Sequence, residues 1–281
     1  MPGTLYVVAT PIGNLEDVTL RALRVLRQVT VIAAEDTRRT ARLLQHYSIS
    51  TPTTSLHEHN ERQKAASLIE RLKAGDSIAL VSDAGTPVIS DPGAHFVSAA
   101  HAAGIRVEPV PGPVAAIAAL CASGFEASEV LFVGFPPSRS SDRKKWLARL
   151  AAEPRLLVLY EAPHRVEATL RDMLESWGDR SIAVARELTK SHEELVVRPI
   201  SVYLRALDTP RGEFTIVVAP ESPRPSSGVA PPDDELFSEF GELTNSGLGS
   251  RREVLKLLSA KYGVSARDLY AIIERHKNSA E

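Results

Sequence analysis

The chain has 281 residues, 43% of them hydrophobic and 24% charged, with a formal net charge of −2. That length allows two or three domains, and that charge excludes a global field drawing the protein to nucleic acid or membrane, so any polyanion binding rests on local patches. One cysteine, Cys121, excludes an internal disulfide and fits a reducing cytosol.

In chain order, strands are predicted over 4–9, 29–34, 77–82, 105–110, 130–134, 155–160, 181–186 and 213–219. Several are apolar at nearly every position, as strands covered on both faces by helices are. Helical patterns lie between them, over 19–28, 37–47, 61–74, 92–103, 113–123, 141–152 and 164–176. Thr19 is placed to cap the first of these, with Leu20, Leu23 and Leu26 as its inner stripe. Asp91 is the expected N-cap of the fourth, with Pro92 at its first position. Cys121, inside the apolar run "VAAIAALCAS", is expected to be a small buried hydrophobe. The alternation predicts an α/β protein with mainly parallel sheets. The longest apolar run, Val114 to Ala122, is about half a membrane span. With no signal-peptide pattern at the start, a soluble, cytoplasmic protein without membrane attachment is expected.

Composition breaks at "PESPRPSSGVAPP", a linker of polyproline character. The expected division is an N-terminal α/β domain over 1–112, a C-terminal α/β domain over 113–220, a linker over 221–232 and an all-helical, helix-turn-helix-like module over 233–281. Ser250 and Ser265 read as N-caps and Gly263 as a C′ glycine. The module is either an RNA-binding arm or an appendage that only caps the fold.

The common chemical motifs are missing. No P-loop, no G-x-G-x-x-G after a strand, no G-x-S-x-G and no H-E-x-x-H occurs, and no Cys/His set has zinc spacing. His57 and His59 lack a third ligand nearby in sequence, so no metal is expected. What remains is a set of punctuated polar loops at strand ends, where open α/β sheets bind ligands. They are "ATPIGNLEDVT", "AEDTRRT", "SDAGTPVISDPG", "VPGPVAAI", "YEAPHRV" and "ARELTK". One surface collects them all, which makes a cleft.

The ordered run "VATPIGNLEDVTLRAL", "AEDTRRTARLL", "LHEHNE", "LVSDAGTPVISDPG", "VPGPVAAIAAL", "FVGFPP", "YEAPHRV", "ARELTKSHEE" and "GEFTIVV" covers residues 5–219 nearly continuously. It closely resembles the tetrapyrrole-methylase family, and within it the rRNA small subunit methyltransferase I branch. Gly85-Thr86-Pro87 stands where other members of the family carry "GDP". The resemblance implies two α/β domains with an S-adenosylmethionine cleft between them. It also implies 2′-O-methylation of a cytidine in the decoding region of 16S rRNA, on the small ribosomal subunit, by a homodimer. A porphyrinoid C-methylase with the same donor site and a non-catalytic RNA-binding assembly factor are the alternatives.

For the donor, Gly85 admits close main-chain approach and Pro87 stiffens the loop. By resemblance, Pro11, Ile12, Thr86 and Ile89 line the pocket and Asp83 favours the cationic centre. Gly112, Pro113, Val114 and Ala115 form a second wall, and Tyr160, Arg186, Phe214 and Thr215 close over the adenosine. Candidates for taking the hydroxyl proton are Glu35, Asp36, His57, Glu161 and His164, with Glu35, Asp36 and Glu161 preferred because their loops end strands at one cleft. The alternative for Glu35, Asp36, Arg38 and Arg165 is a structural ion-pair network. RNA contact is expected from Arg38, Arg39, His57, Arg165 and Lys190, from Arg143, Lys144 and Lys145 in a basic run, and from Arg251 and Arg252 in the helical module.

Overall fold

The computed structural model describes residues 2–208, 210–220, 231–245, 250–262 and 264–278. The chain divides into two compact units, 1–220 and 221–281. Within the first unit, β1 (Thr4–Val8), β2 (Val31–Ala34), β3 (Thr53–Ser55), β4 (Ile78–Val81) and β5 (Arg106–Val110) form one sheet in the order β3-β2-β4-β1-β5. Every pairing in it is parallel. The helices are α1 (Leu20–Gln28), α2 (Thr37–His46), α3 (Glu61–Lys73) and α4 (Ala94–Ala102).

Successive strand residues point to opposite faces, and here both faces are covered. On β4, Ala79 and Val81 join the core under α1 and α2. Its Ile78 and Leu80 join the core under α3 and α4. Thr19 caps α1 by accepting from the Ala22 N–H at 3.1 Å. Leu20 is not part of the inner stripe: it is 86% exposed, and Ala22, Leu23, Val25 and Leu26 are buried instead.

The chain then forms α5 (Ala115–Ala122), β6 (Val130–Gly134), α6 (Ser140–Leu150), β7 (Leu156–Glu161), α7 (Val166–Trp177), β8 (Ser181–Arg186), β9 (Glu194–Pro199), α8 (Ile200–Ala206) and β10 (Phe214–Val218). The second sheet runs β6-β7-β10-β8-β9. Only β6 and β7 are parallel; β10 is antiparallel to β7 and β8, and β8 to β9. The expectation of mainly parallel sheets thus holds for the first sheet and not for the second, because an apolar run marks a strand buried on two faces whichever way its neighbours point. Leu157, Leu159, Ile182 and Ile216 pack with α6 to α8 on one face. Ala116 and Ala119 of α5 pack on Val158, Ala183 and Val217 on the other. The opposite side of α5 carries Cys121, which is exposed rather than buried because the two alanines take the inward positions.

The second unit holds α9 (Asp233–Asn245), α10 (Arg251–Tyr262) and α11 (Ala266–Asn278) around Leu236, Phe240, Val254, Leu258, Leu269 and Ile273. Ser265 caps α11 by accepting from the Asp268 N–H at 3.1 Å. At the start of α10, Glu253 reaches back to the Ser250 N–H at 2.6 Å, half of a capping box. Gly263 and most of the predicted linker lie outside the described residues. Among the described residues, no helix is long and apolar enough to cross a membrane.

Candidate functional site

The loops after β1, β2 and β4 meet the ends of β7 and β10. A tight bridge fixes the first of them: Thr10 N–H donates to the Gly85 carbonyl at 2.8 Å, and Gly85 N–H to the Thr10 carbonyl at 3.1 Å. Gly85 sits at φ +82°, which glycine adopts without strain. Val88 (φ +76°) and Ser90 (φ +66°) lack that freedom and are held in the left-handed region by the surrounding loop. Each costs about 1–3 kcal/mol, the kind of strain concentrated at ligand sites. The Thr86 hydroxyl donates to the Pro113 carbonyl at 3.2 Å, tying this loop to the start of α5.

These elements enclose a cavity of about 420 Å³. It is lined by Ile12, Asp83, Gly85, Thr86, Ile89, Val114, Ala115, Tyr160, Phe214 and Thr215 from the predicted donor residues, and by Glu35 and Glu161 from the predicted catalytic ones. The others predicted around the donor stand behind it or beside it. Pro87 is buried beneath the loop, and Pro113 acts through its carbonyl. Gly112 lies against Ala9, so close that a Cβ there would come within 2.9 Å of the alanine's own. Arg186 pairs with Glu194 on the neighbouring strand at 3.0 Å. Pro11 lines a second cavity instead.

The carboxylates separate by environment. Asp36 caps α2 by accepting from the Arg38 N–H at 2.9 Å, and the Arg38 guanidinium holds its other oxygen at 2.7 Å. Those bonds keep its carboxyl well below the usual range, and it lines neither cavity, unlike the other two preferred carboxylates. Glu161 is 1% exposed. It accepts from the Thr169 hydroxyl at 2.5 Å and the Ala162 N–H at 2.8 Å, with Arg165 at 3.3 Å. With its oxygens so engaged, it ties the end of β7 to the start of α7.

Glu35 is different: burial, then the neighbouring Asp83 charge, raises its pKa. Asp91 is pushed up to about 6, chiefly by burial, against a hydrogen bond from Ser82. Asp91 is therefore not the cap of α4. Gly93, at φ +121°, takes that position, and Asp91 turns into the cavity. One signal for it was legible: Ser90-Asp91-Pro92-Gly93 repeats the Ser82-Asp83-Ala84-Gly85 pattern. Phe135, Leu188 and Glu213, also on the lining, carried no such mark.

The second cavity, about 330 Å³, is lined among others by Thr10, Pro11, Arg39, Arg42, Asp83 and Lys190. The remaining predicted RNA residues divide by partner. Arg143 is buried at 5% exposure and bound to Asp172 at 2.7 Å, so it holds α6 to α7 and is not a surface cation. Lys144 pairs with Glu175 at 2.7 Å, whereas Lys145 is exposed. Arg165 is engaged by Glu161 and the Pro136 carbonyl, and Arg38 by Asp36. His57 is half-buried, its ring against the Asn60 amide at 3.0 Å. His164 lines neither cavity. Arg251 and Arg252 are exposed on α10. Of the supposed ion-pair network, Asp36 with Arg38 forms, while Arg165 turns to Glu161.

The sequence matches the family described as Tetrapyrrole (Corrin/Porphyrin) Methylases over residues 4–202. The chain belongs to the tetrapyrrole methylases. Among curated members, it is 45% identical over 276 residues to a Synechocystis protein named Ribosomal RNA small subunit methyltransferase I, covering 96% of this chain and 97% of that one. The Pseudomonas aeruginosa protein of the same name is 49% identical over 222 residues, 77% of this chain and 79% of the relative. Solved tetrapyrrole methylases share the fold. A cobalt precorrin-4 methyltransferase superposes with TM-score 0.60 at 16% identity, covering 77% of this chain and 94% of its own. The uroporphyrin-III C-methyltransferase of Thermus thermophilus complexed with S-adenyl homocysteine gives 0.57 at 18%, covering 76% and 97%.

Proposed function

We propose that this tetrapyrrole methylase transfers the methyl group of S-adenosylmethionine to the ribose 2′-hydroxyl of a cytidine in the decoding region of 16S rRNA. It acts on the small ribosomal subunit, in the cytoplasm, as a homodimer. The observation that carries the reading is near full-length similarity to proteins named for small-subunit rRNA methylation. The likeness to porphyrinoid enzymes stays at or below 20% identity and supports the fold alone.

The first cavity fits the donor. Its volume is that of a small-molecule site. Tyr160, Phe135 and Phe214 offer aromatic walls, the Gly85 backbone admits close approach, and Glu35, Asp83 and Asp91 supply negative charge for a cationic group. Bound there, the donor supplies an activated methyl on a sulfonium. The chain's own work is to hold the acceptor hydroxyl in line and to take its proton. Asp91, pushed up to about 6, and Glu35, raised by burial and the Asp83 charge, are the carboxylates suited to accept it. The exposed outer side of α5, with Ile117 and Cys121, is an apolar face available to a second copy.

The test is methylation of small subunits from a strain lacking this activity, using labelled donor, with the modified nucleotide located by mass spectrometry. A 2′-O-methylcytidine in the decoding region is expected. Label on a porphyrinoid, on a base, or nowhere would overturn the reading.

A further inference from the structure

We propose that the second cavity is a phosphate-binding subsite that seats the RNA backbone beside the nucleotide being modified, with Arg39 and Arg42 as its ligands. The proposal rests on the rRNA reading above and adds where the strand is gripped. The two cavities share Ile12, Arg39, Asp83, Ala84 and Glu213, so they meet along one wall. An acceptor hydroxyl reaching the first cavity therefore brings its own sugar–phosphate chain to the second.

The linings differ in kind. The first is aromatic and apolar with five carboxylates, whereas the second keeps only Asp83 and Glu213 of these and sets Arg39, Arg42 and Lys190 beside them with hydroxyl and main-chain groups. Arg39 and Arg42 are three apart on α2 and share one helix face. Arg42 is exposed, and its side chain has no ion pair or hydrogen bond among the described residues. Arg39 has a single long contact, Nε to Asp83 at 3.5 Å, and stays 60% exposed. Lys190 is already held by Glu187 at 2.8 Å and Glu213 at 3.1 Å. It closes the cavity from the second half and contributes little free charge. Two guanidinium groups with unused donors match the fork geometry that phosphodiesters accept.

The experiment measures binding of a short cytidine-containing single-stranded oligoribonucleotide by fluorescence anisotropy across a salt series, for wild type, Arg42→Gln and Arg38→Gln. Arg38 lies on the same helix but lines neither cavity. Donor affinity by calorimetry and methylation of small subunits are read in parallel. Arg42→Gln is expected to weaken RNA binding about tenfold and to lower the salt slope by about one, with donor affinity unchanged. Arg38→Gln is expected to stay near wild type. Equal losses in both variants, no loss in Arg42→Gln, or no oligoribonucleotide binding by wild type would overturn the subsite. Wild type that binds the oligoribonucleotide with the expected Arg42 dependence but methylates no small subunit would keep the subsite and overturn the rRNA reading.

Discussion

Replacing Asp91 with Asn removes a charge that the folded protein holds at a cost. Its pKa rises from an ordinary 3.8 to about 6, chiefly through burial. Undiminished, that difference is about 3 kcal/mol against the ionised form. Solvent screening of this half-buried group reduces it to about half. The sign follows from the raised folded value: the folded state binds the proton more tightly. The penalty is absent below the unfolded pKa and complete above the folded one. Asp91→Asn should therefore be more stable than wild type by about 1.5 kcal/mol at pH 8, and by about 0.5 kcal/mol at pH 4.5. Both tryptophans, Trp146 and Trp177, lie in the first unit, so urea unfolding followed by their fluorescence reports on that unit. If Asp91 takes the hydroxyl proton, the same variant should lose methyl transfer by roughly a hundredfold, stability gained where function is lost. A stability gain equal at both pH values, or a loss at pH 8, would refute the claim that ionised Asp91 is penalised.

A side chain at Gly13 would meet Lys190 Cγ at 2.6 Å, Thr189 Oγ1 at 2.7 Å and the Leu188 carbonyl at 2.8 Å. Gly13→Val should therefore push the 188–190 loop from the first cavity and weaken donor affinity about tenfold by calorimetry. Arg143→Ala should destabilise the first unit by about 3 kcal/mol in urea, because Asp172 would be left buried with only the more distant Lys144 ammonium, at 3.8 Å, as counter-charge. Its RNA affinity, once folded, should be no lower than that of Lys145→Ala. A chain ending at residue 226 should keep its donor affinity, methylate small subunits poorly and show a shallower salt dependence of RNA binding.

Eight of the ten strands described were legible, most clearly where two covered faces leave an apolar run, as at Ile78–Val81 and Phe214–Val218. Strands β3 and β9 were missed: Thr53–Ser55 is three residues long, and Glu194–Pro199 is an edge strand with charges on it. Most of the first cavity could be named from its loops, since glycine and proline mark backbone that must turn. The individual carboxylates could not. Asp36 and Asp91 both read as capable of capping or chemistry. What separates them is tertiary, an arginine two residues away for one and a burying loop for the other. Arg143 misled for the same reason: a basic run gives no sign of the acidic partner, Asp172, that arrives from another helix.

The place of β10 governs when the protein becomes able to work. It is the last strand of the second sheet to be synthesised, yet it lies in the middle, between β7 and β8. Until it emerges, the second half holds two separate pairs, β6 with β7 and β8 with β9, and isolated two-stranded pieces are marginal in water. Phe214 and Thr215 on this strand also line the first cavity. A nascent chain stalled before residue 214 thus has neither a joined second sheet nor a finished pocket. The same strand closes the fold and completes the cavity wall, so the two are finished together.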